Sequence, residues 1–149
     1  MPSWSIRPFA IDDYAAARAL WEASEGVGLD DSDSRERIEA FLRRSPGLSA
    51  VAEVGDAVIG AMLCGHDGRR ALIYHLAVAR AHRRQGVGAA LVAASLAALR
   101  AEGVRKCHVM VFTDNHDANQ FWQRQGAKVR DDLTLSTFTI GDDDTKWVE

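Results

Sequence analysis

The chain has 149 residues, enough for one compact domain over 1–149 and too few for a second with its own core. Apolar residues make up 47% and charged residues 26%, a globular balance that excludes a disordered or fibrous chain. A net charge of −3 excludes a general nucleic-acid binder held by counterion release, so no nucleic-acid partner is expected.

In chain order, WSIRPF reads as a short first strand, and Asp12 or Asp13 can cap a helix that places Tyr14, Ala17, Leu20 and Trp21 on one face. MPSWSIRPFAIDDY holds no apolar core of signal-peptide length, so export is not expected. After the acidic loop GVGLDDSDS, Asp33 with Glu36 three residues on reads as a capping box for a second helix with Ile38, Phe41 and Leu42 on its apolar face. Pro46 and Gly47 stop that helix. LSAVAEV and AVIGAMLC then read as a hairpin turning at Gly55 and Asp56.

ALIYHLAV is a nearly continuous apolar run and predicts a central strand covered on both faces. The turn HRRQGVG follows, then a helix from about Gly88 to Glu102 with Gly103 where a C-cap is expected. KCHVMVF predicts a buried strand, HDANQFWQRQ a short helix ended by Gly126, and LTLSTFTI alternates as a last strand should. This order gives an α/β layout of helices on a mixed sheet. The longest apolar run, Ala89 to Leu99, is broken by Ser95 and is too short for a bilayer, so no membrane partner is expected. Cys64 and Cys107 form neither a disulfide framework nor a metal pair, which favours a reduced cytoplasmic setting and no metal.

The basic glycine turn between a strand and a helix is suited to an anion, because a helix N-terminus offers unpaired N–H groups and the positive dipole end. Glycine also lets a phosphate approach the backbone without a β-carbon in the way. A nucleotide P-loop is excluded, since no lysine follows either glycine. A dinucleotide turn needs a third glycine where Leu91 stands, and it belongs to a first βαβ unit, not to mid-chain.

RRQGVGAAL, preceded by LAV, resembles the pyrophosphate motif of the GCN5-related N-acetyltransferase (GNAT) superfamily, Arg/Gln-x-x-Gly-x-Gly/Ala, through Arg83, Gly86 and Gly88. YHLAV stands where the family's fourth strand ends. NHDANQFWQRQGA is similar to the family's Asn-x-x-Ala-x-x-Leu/Phe-Tyr-x-x-x-Gly-Phe segment through Asn115, Ala118, Phe121 and Gly126. The resemblance covers essentially the whole chain. It implies a mixed, mostly antiparallel sheet of six to seven strands, splayed between the fourth and fifth, with about four helices on both faces.

The resemblance further implies acetyl-coenzyme A as co-substrate, with its pantetheine arm along the backbone of Leu76, Ala77 and Val78. Its pyrophosphate would lie on the turn formed by Arg83, Arg84, Gln85, Gly86, Val87, Gly88 and Ala89, with Asn115 and Asn119 nearby. The implied activity is acetyl transfer to a primary amine of a small molecule or a protein N-terminus, by direct attack. A non-catalytic acyl-coenzyme A binder or sensor is the alternative, and pairing of exposed sheet edges into a homodimer is expected of such folds.

An alkylammonium, with a pKa of about 10, must lose a proton before it attacks, which requires a base. Relatives take one from the fourth or fifth strand, which draws attention to His75 and Tyr74, and more weakly to His108. Strand alternation implies that Tyr74 and His75 do not both face the site. The family's leaving-group tyrosine is replaced by Trp122, whose indole N–H donates a hydrogen bond but is no acid at neutral pH. A cysteine-nucleophile reading on Cys107 and His108 is disfavoured, because neighbours on a strand point to opposite faces.

Overall fold

A computed structural model describes residues 3–141. Five strands form one sheet in the order β1-β2-β3-β4-β5. They are β1 Ser5–Pro8, β2 Ala50–Val54, β3 Ala57–His66, β4 Ala71–Val78 and β5 Cys107–Val109. The first three pairings are antiparallel and β4–β5 is parallel. Pro8 is tolerated because β1 is an edge strand that pairs, among the described residues, with β2 alone. β2 and β3 turn at Gly55, whose φ of +56° suits a residue without Cβ.

Among the described residues four α-helices cover the sheet: α1 Tyr14–Ala23, α2 Arg35–Arg44, α3 Val87–Ala101 and α4 His116–Arg124. One apolar cluster gathers Ala17 and Trp21 of α1 and Ile38 of α2 against Val51, Ala61, Leu63 and Ala77. The other gathers Val87, Leu91, Val92 and Leu99 of α3 and Trp122 of α4 against Ala52, Ile59, Met62 and Ile73. The sheet therefore carries a helical layer on each face, and β4 serves both clusters, Ile73 and Leu76 in one and Tyr74 and Ala77 in the other. Ser95, which interrupts the apolar run of α3, is buried and donates to the Leu48 carbonyl at 2.6 Å. That bond satisfies its hydroxyl and fixes α3 to the segment that enters β2.

Three expectations change. Instead of six to seven strands, five are present among the described residues; LTLSTFTI runs without a ladder, and KCHVMVF pairs only over Cys107–Val109. Alternation specifies a face but supplies no partner, and a strand persists only where a ladder pairs it. Leu133, Leu135, Phe138 and Ile140 consequently stand exposed. The cap of α2 also shifts by one residue, because Ser34 accepts from Arg37 N at 3.2 Å and releases Asp33 from that task. Asp13 heads α1 without a side-chain cap bond and pairs instead with Arg7 at 2.8 Å.

Candidate active site

The β4–β5 ladder runs through Ala71–Cys107, Leu72–His108 and Ile73–Val109 and then stops. Beyond that point Tyr74 to Val78 remain paired with β3 alone among the described residues, so the other edge of the strand is open. A bulge accompanies the splay. Ala61 pairs with Ala77 and Leu63 with Tyr74, so Met62 faces both His75 and Leu76. His75 absorbs the extra residue with φ +56°, a left-handed conformation that costs a non-glycine residue about 1–2 kcal/mol.

The bulge corrects the expectation drawn from simple alternation: Tyr74 and His75 line the same cavity. That cavity, about 310 Å³, opens where the strands part, between Tyr74, His75 and Leu76 on one side and Val109, Met110, Val111 and Phe112 on the other. Trp122 of α4 closes one wall, and Glu25 and Asp30 from the loop before α2 give another wall two carboxyl groups. The Ser32 hydroxyl and N–H both donate to Asp30 and hold its carboxyl below the usual carboxylate range. Burial pushes the Tyr74 hydroxyl up, which makes it a poor base near neutral pH.

His75 Nε2 lies 2.7 Å from Asp33 Oδ1, and Trp21 packs against the imidazole at 5.2 Å between centroids. Sequence reading did not assign Asp33 to the site. The two residues are 42 apart, and the local pattern around Asp33 signals only a helix cap.

The open edge of β4 leads to the glycine turn. Gly86 is the N-cap of α3 at φ +84° and supplies no side-chain cap. The first N–H of that turn to find a helical partner is Ala90, 3.0 Å from the Gly86 carbonyl, so Val87, Gly88 and Ala89 present free N–H groups. Arg83, Arg84 and Gln85 are exposed around them, and Arg84 is itself left-handed at φ +64°. Arg83 Nε donates to the Val78 carbonyl at 3.1 Å and so ties the turn to the strand end.

Several residues of the predicted site have a second, structural duty. Val87 buries its side chain in the core, as does Ala77, so each can offer a ligand only its backbone. A Cβ on Gly88 would come within 3.2 Å of Phe121, so that glycine also admits α4 onto α3. Asn115 lines the cavity and caps α4, accepting from Ala118 N at 3.1 Å. Asn119 spends its amide N–H groups on the carbonyls of Phe112 and Asn115 at 3.0 and 2.8 Å. Trp122 is buried edge-on to Phe121 and separates the main cavity from a second one of about 190 Å³. Cys107 and His108 line that second cavity and are not part of the main one.

Among the described residues no helix is long and apolar enough to cross a membrane, and no group of three or more His, Cys, Asp or Glu could hold a metal ion. The arrangement therefore offers an extended ligand a free strand edge, an anion site at the end of that edge, and a cavity holding a histidine and an acidic wall.

Known proteins share this frame. The model of the acetyltransferase (GNAT) family matches residues 14–127. An acetyltransferase of Pectobacterium atrosepticum is 33% identical over 137 residues, which cover 92% of this chain and 96% of that protein. Ard1 from Thermoplasma volcanium superposes with a TM-score of 0.74 at 26% identity, over 84% of this chain and 82% of that one. The PaiA N-acetyltransferase of Thermoplasma acidophilum, solved in complex with coenzyme A, shares the fold with a TM-score of 0.75 at 20% identity, over 87% and 92% of the two chains.

Proposed function

Because the chain belongs to the acetyltransferase (GNAT) family and is an acetyl-coenzyme A-dependent acetyltransferase, we propose that it acetylates a primary amine by direct attack in the cavity between β4 and β5. The observation that carries this reading is the edge of Tyr74 to Val78, unpaired among the described residues, which leads from the cavity to the start of α3, where no side chain caps the helix. A pantetheine arm can complete on Leu76, Ala77 and Val78 the hydrogen bonds that β5 has abandoned. The pyrophosphate then meets the N–H groups of Val87, Gly88 and Ala89, with Arg83 and Arg84 adding charge. A β4 backbone N–H on the same edge is positioned to polarise the thioester carbonyl.

In this reading His75 is the base that frees the amine. It lines the cavity, whereas the raised Tyr74 hydroxyl does not suit that role at neutral pH. Glu25 and Asp30 favour a cationic acceptor, either a small amine or a peptide N-terminus. Coenzyme A thiolate can depart without an acid, because a thiol pKa of about 8.5 makes it a stable leaving group. Trp122 then serves as cavity wall and hydrogen-bond donor. The non-catalytic alternative would have drawn its support from Trp122, and the family membership of the chain favours the enzyme.

The experiment is thiol release from acetyl-coenzyme A with a panel of small primary amines and short peptides. Release that depends on a cationic amine and yields the acetylated amine is expected. Thiol release equal with and without amine would contradict the proposal. We also infer a homodimer and a reducing cytoplasmic setting, on the exposed apolar side chains of 133–140 and on two free cysteines.

A further inference from the structure

We propose that Asp33 is the positioning residue of the histidine base, acting by fixing which nitrogen of His75 carries the proton; this rests on the reading of His75 as the base. The bond from Nε2 to Asp33 Oδ1 is 2.7 Å long. An ionised carboxylate only accepts, so Nε2 must carry the hydrogen, and the lone pair that can take a proton lies on Nδ1. Nδ1 has no side-chain partner among the described residues and is not buried, and the ring lines the cavity. The pair therefore presents the basic nitrogen to the acceptor and hides the protonated one.

Asp33 is built to hold that orientation. It is 6% exposed, and its second oxygen, Oδ2, accepts the Asp30 N–H at 3.1 Å. Its carbonyl receives the Tyr14 hydroxyl at 2.6 Å and Arg18 Nη1 at 3.1 Å, so α1 clamps the backbone that carries the carboxylate. The Oδ2 bond closes the capping box of the 3-10 turn Asp31–Asp33 and leaves Oδ1 to the imidazole, while Ser34 caps α2. Burying a carboxylate is costly unless it is paired, and the partner that reaches Oδ1 is the imidazole. Trp21 closes one face of the ring at 5.2 Å and Tyr74 stands edge-on at 6.3 Å. The charged groups around the ring are Asp33, Asp30 and, across the cavity, Glu25, with Arg18 beyond Asp33.

The left-handed turn at His75 becomes intelligible on this basis. It rotates the ring out of the sheet's alternation toward the 3-10 turn Asp31–Asp33, where the carboxylate waits. In the reaction Nδ1 takes a proton from R–NH3+, giving R–NH2 and an imidazolium whose Nε2–H stays on Asp33. The amine nitrogen forms a bond to the thioester carbonyl carbon. The C–S bond then breaks, with its electron pair leaving on the coenzyme A thiolate. The nitrogen sheds its second proton, so that one proton ends on the thiolate and the other passes to solvent.

The test is a double-mutant cycle read in kcat and KM. Asp33→Asn keeps the size and can turn an N–H toward Nε2, which moves the ring proton to Nδ1 and removes the base. Its kcat is expected to fall about 100-fold or more, with KM for both substrates and Tm nearly unchanged. In a His75→Ala background Asp33→Asn is expected to lower kcat no further. Full kcat in Asp33→Asn, with His75→Ala inactive, overturns the role of Asp33 alone; full kcat in His75→Ala overturns the base itself. Nitrogen-15 NMR of the wild-type ring, which does not depend on the variants folding, is expected to show hydrogen on Nε2. Hydrogen on Nδ1 overturns the proposal.

Discussion

At the scale of single residues, the same kind of side chain does different work according to what meets it. Asp13 and Asp33 are both buried aspartates beside a helix start, yet one faces Arg7 and the other His75. The Arg7 guanidinium, bonded to both Asp13 oxygens at 2.8 Å, holds that carboxyl below the usual carboxylate range against the opposing effect of burial. A depressed carboxylate contributes stability that is present above its unfolded pKa of about 3.9 and is lost as pH falls through the lower folded value. Asp13→Asn should therefore destabilise the fold by about 1–2 kcal/mol at pH 7, a figure discounted for the part-exposed arginine, and by less near pH 2. Urea unfolding at the two pH values checks this, and an equal loss at both would refute it. Neither pairing is legible in the sequence, because the acidic residues there satisfy the pattern of a helix cap and carry no mark of a partner elsewhere in the chain.

At the scale of elements, β4 was legible where periodicity alone decides the structure and not where it breaks. The run ALIYHLAV reads as a central strand, and it is one. Its bulge depends on how Met62 registers against two residues at once, a property of the pair of strands that neither shows by itself. The glycine turn was legible for the opposite reason, since a left-handed N-cap at Gly86 is a local backbone demand that names its residue. Gly88 was half legible, because the side chain that occupies its missing Cβ comes from Phe121, an element later in the chain. The segment 133–140 carries a strand's alternation without a ladder, and Phe138 is 93% exposed. A second copy that covers these side chains is expected to make the protein sediment as a dimer, and Phe138→Glu is expected to shift it to monomer without lowering Tm. A wild-type monomer at the same concentration would remove the homodimer from this account.

At the scale of the whole molecule, function follows from a sheet that is deliberately incomplete. Five strands and two helical layers bury the core, and the parallel β4–β5 ladder ends after three pairs. The energy of a full ladder is forgone there, and the open edge is available to a ligand that brings its own amides. The element order and the turn make this architecture readable in the sequence. The depth of the cavity, its acidic wall and the Asp33–His75 pair required the chain to be folded, because their residues come from loops and strands far apart in sequence.

The central claim is that this edge and turn hold acetyl-coenzyme A, and calorimetric titration tests it most directly, with NAD as the comparison. Both ligands carry a pyrophosphate, but only acetyl-coenzyme A has a pantetheine arm to pair with Leu76, Ala77 and Val78. Saturable one-to-one binding of acetyl-coenzyme A in the micromolar range, about −8 kcal/mol, with none for NAD, is the predicted result. No binding of acetyl-coenzyme A, or equal binding of the two, would contradict the account.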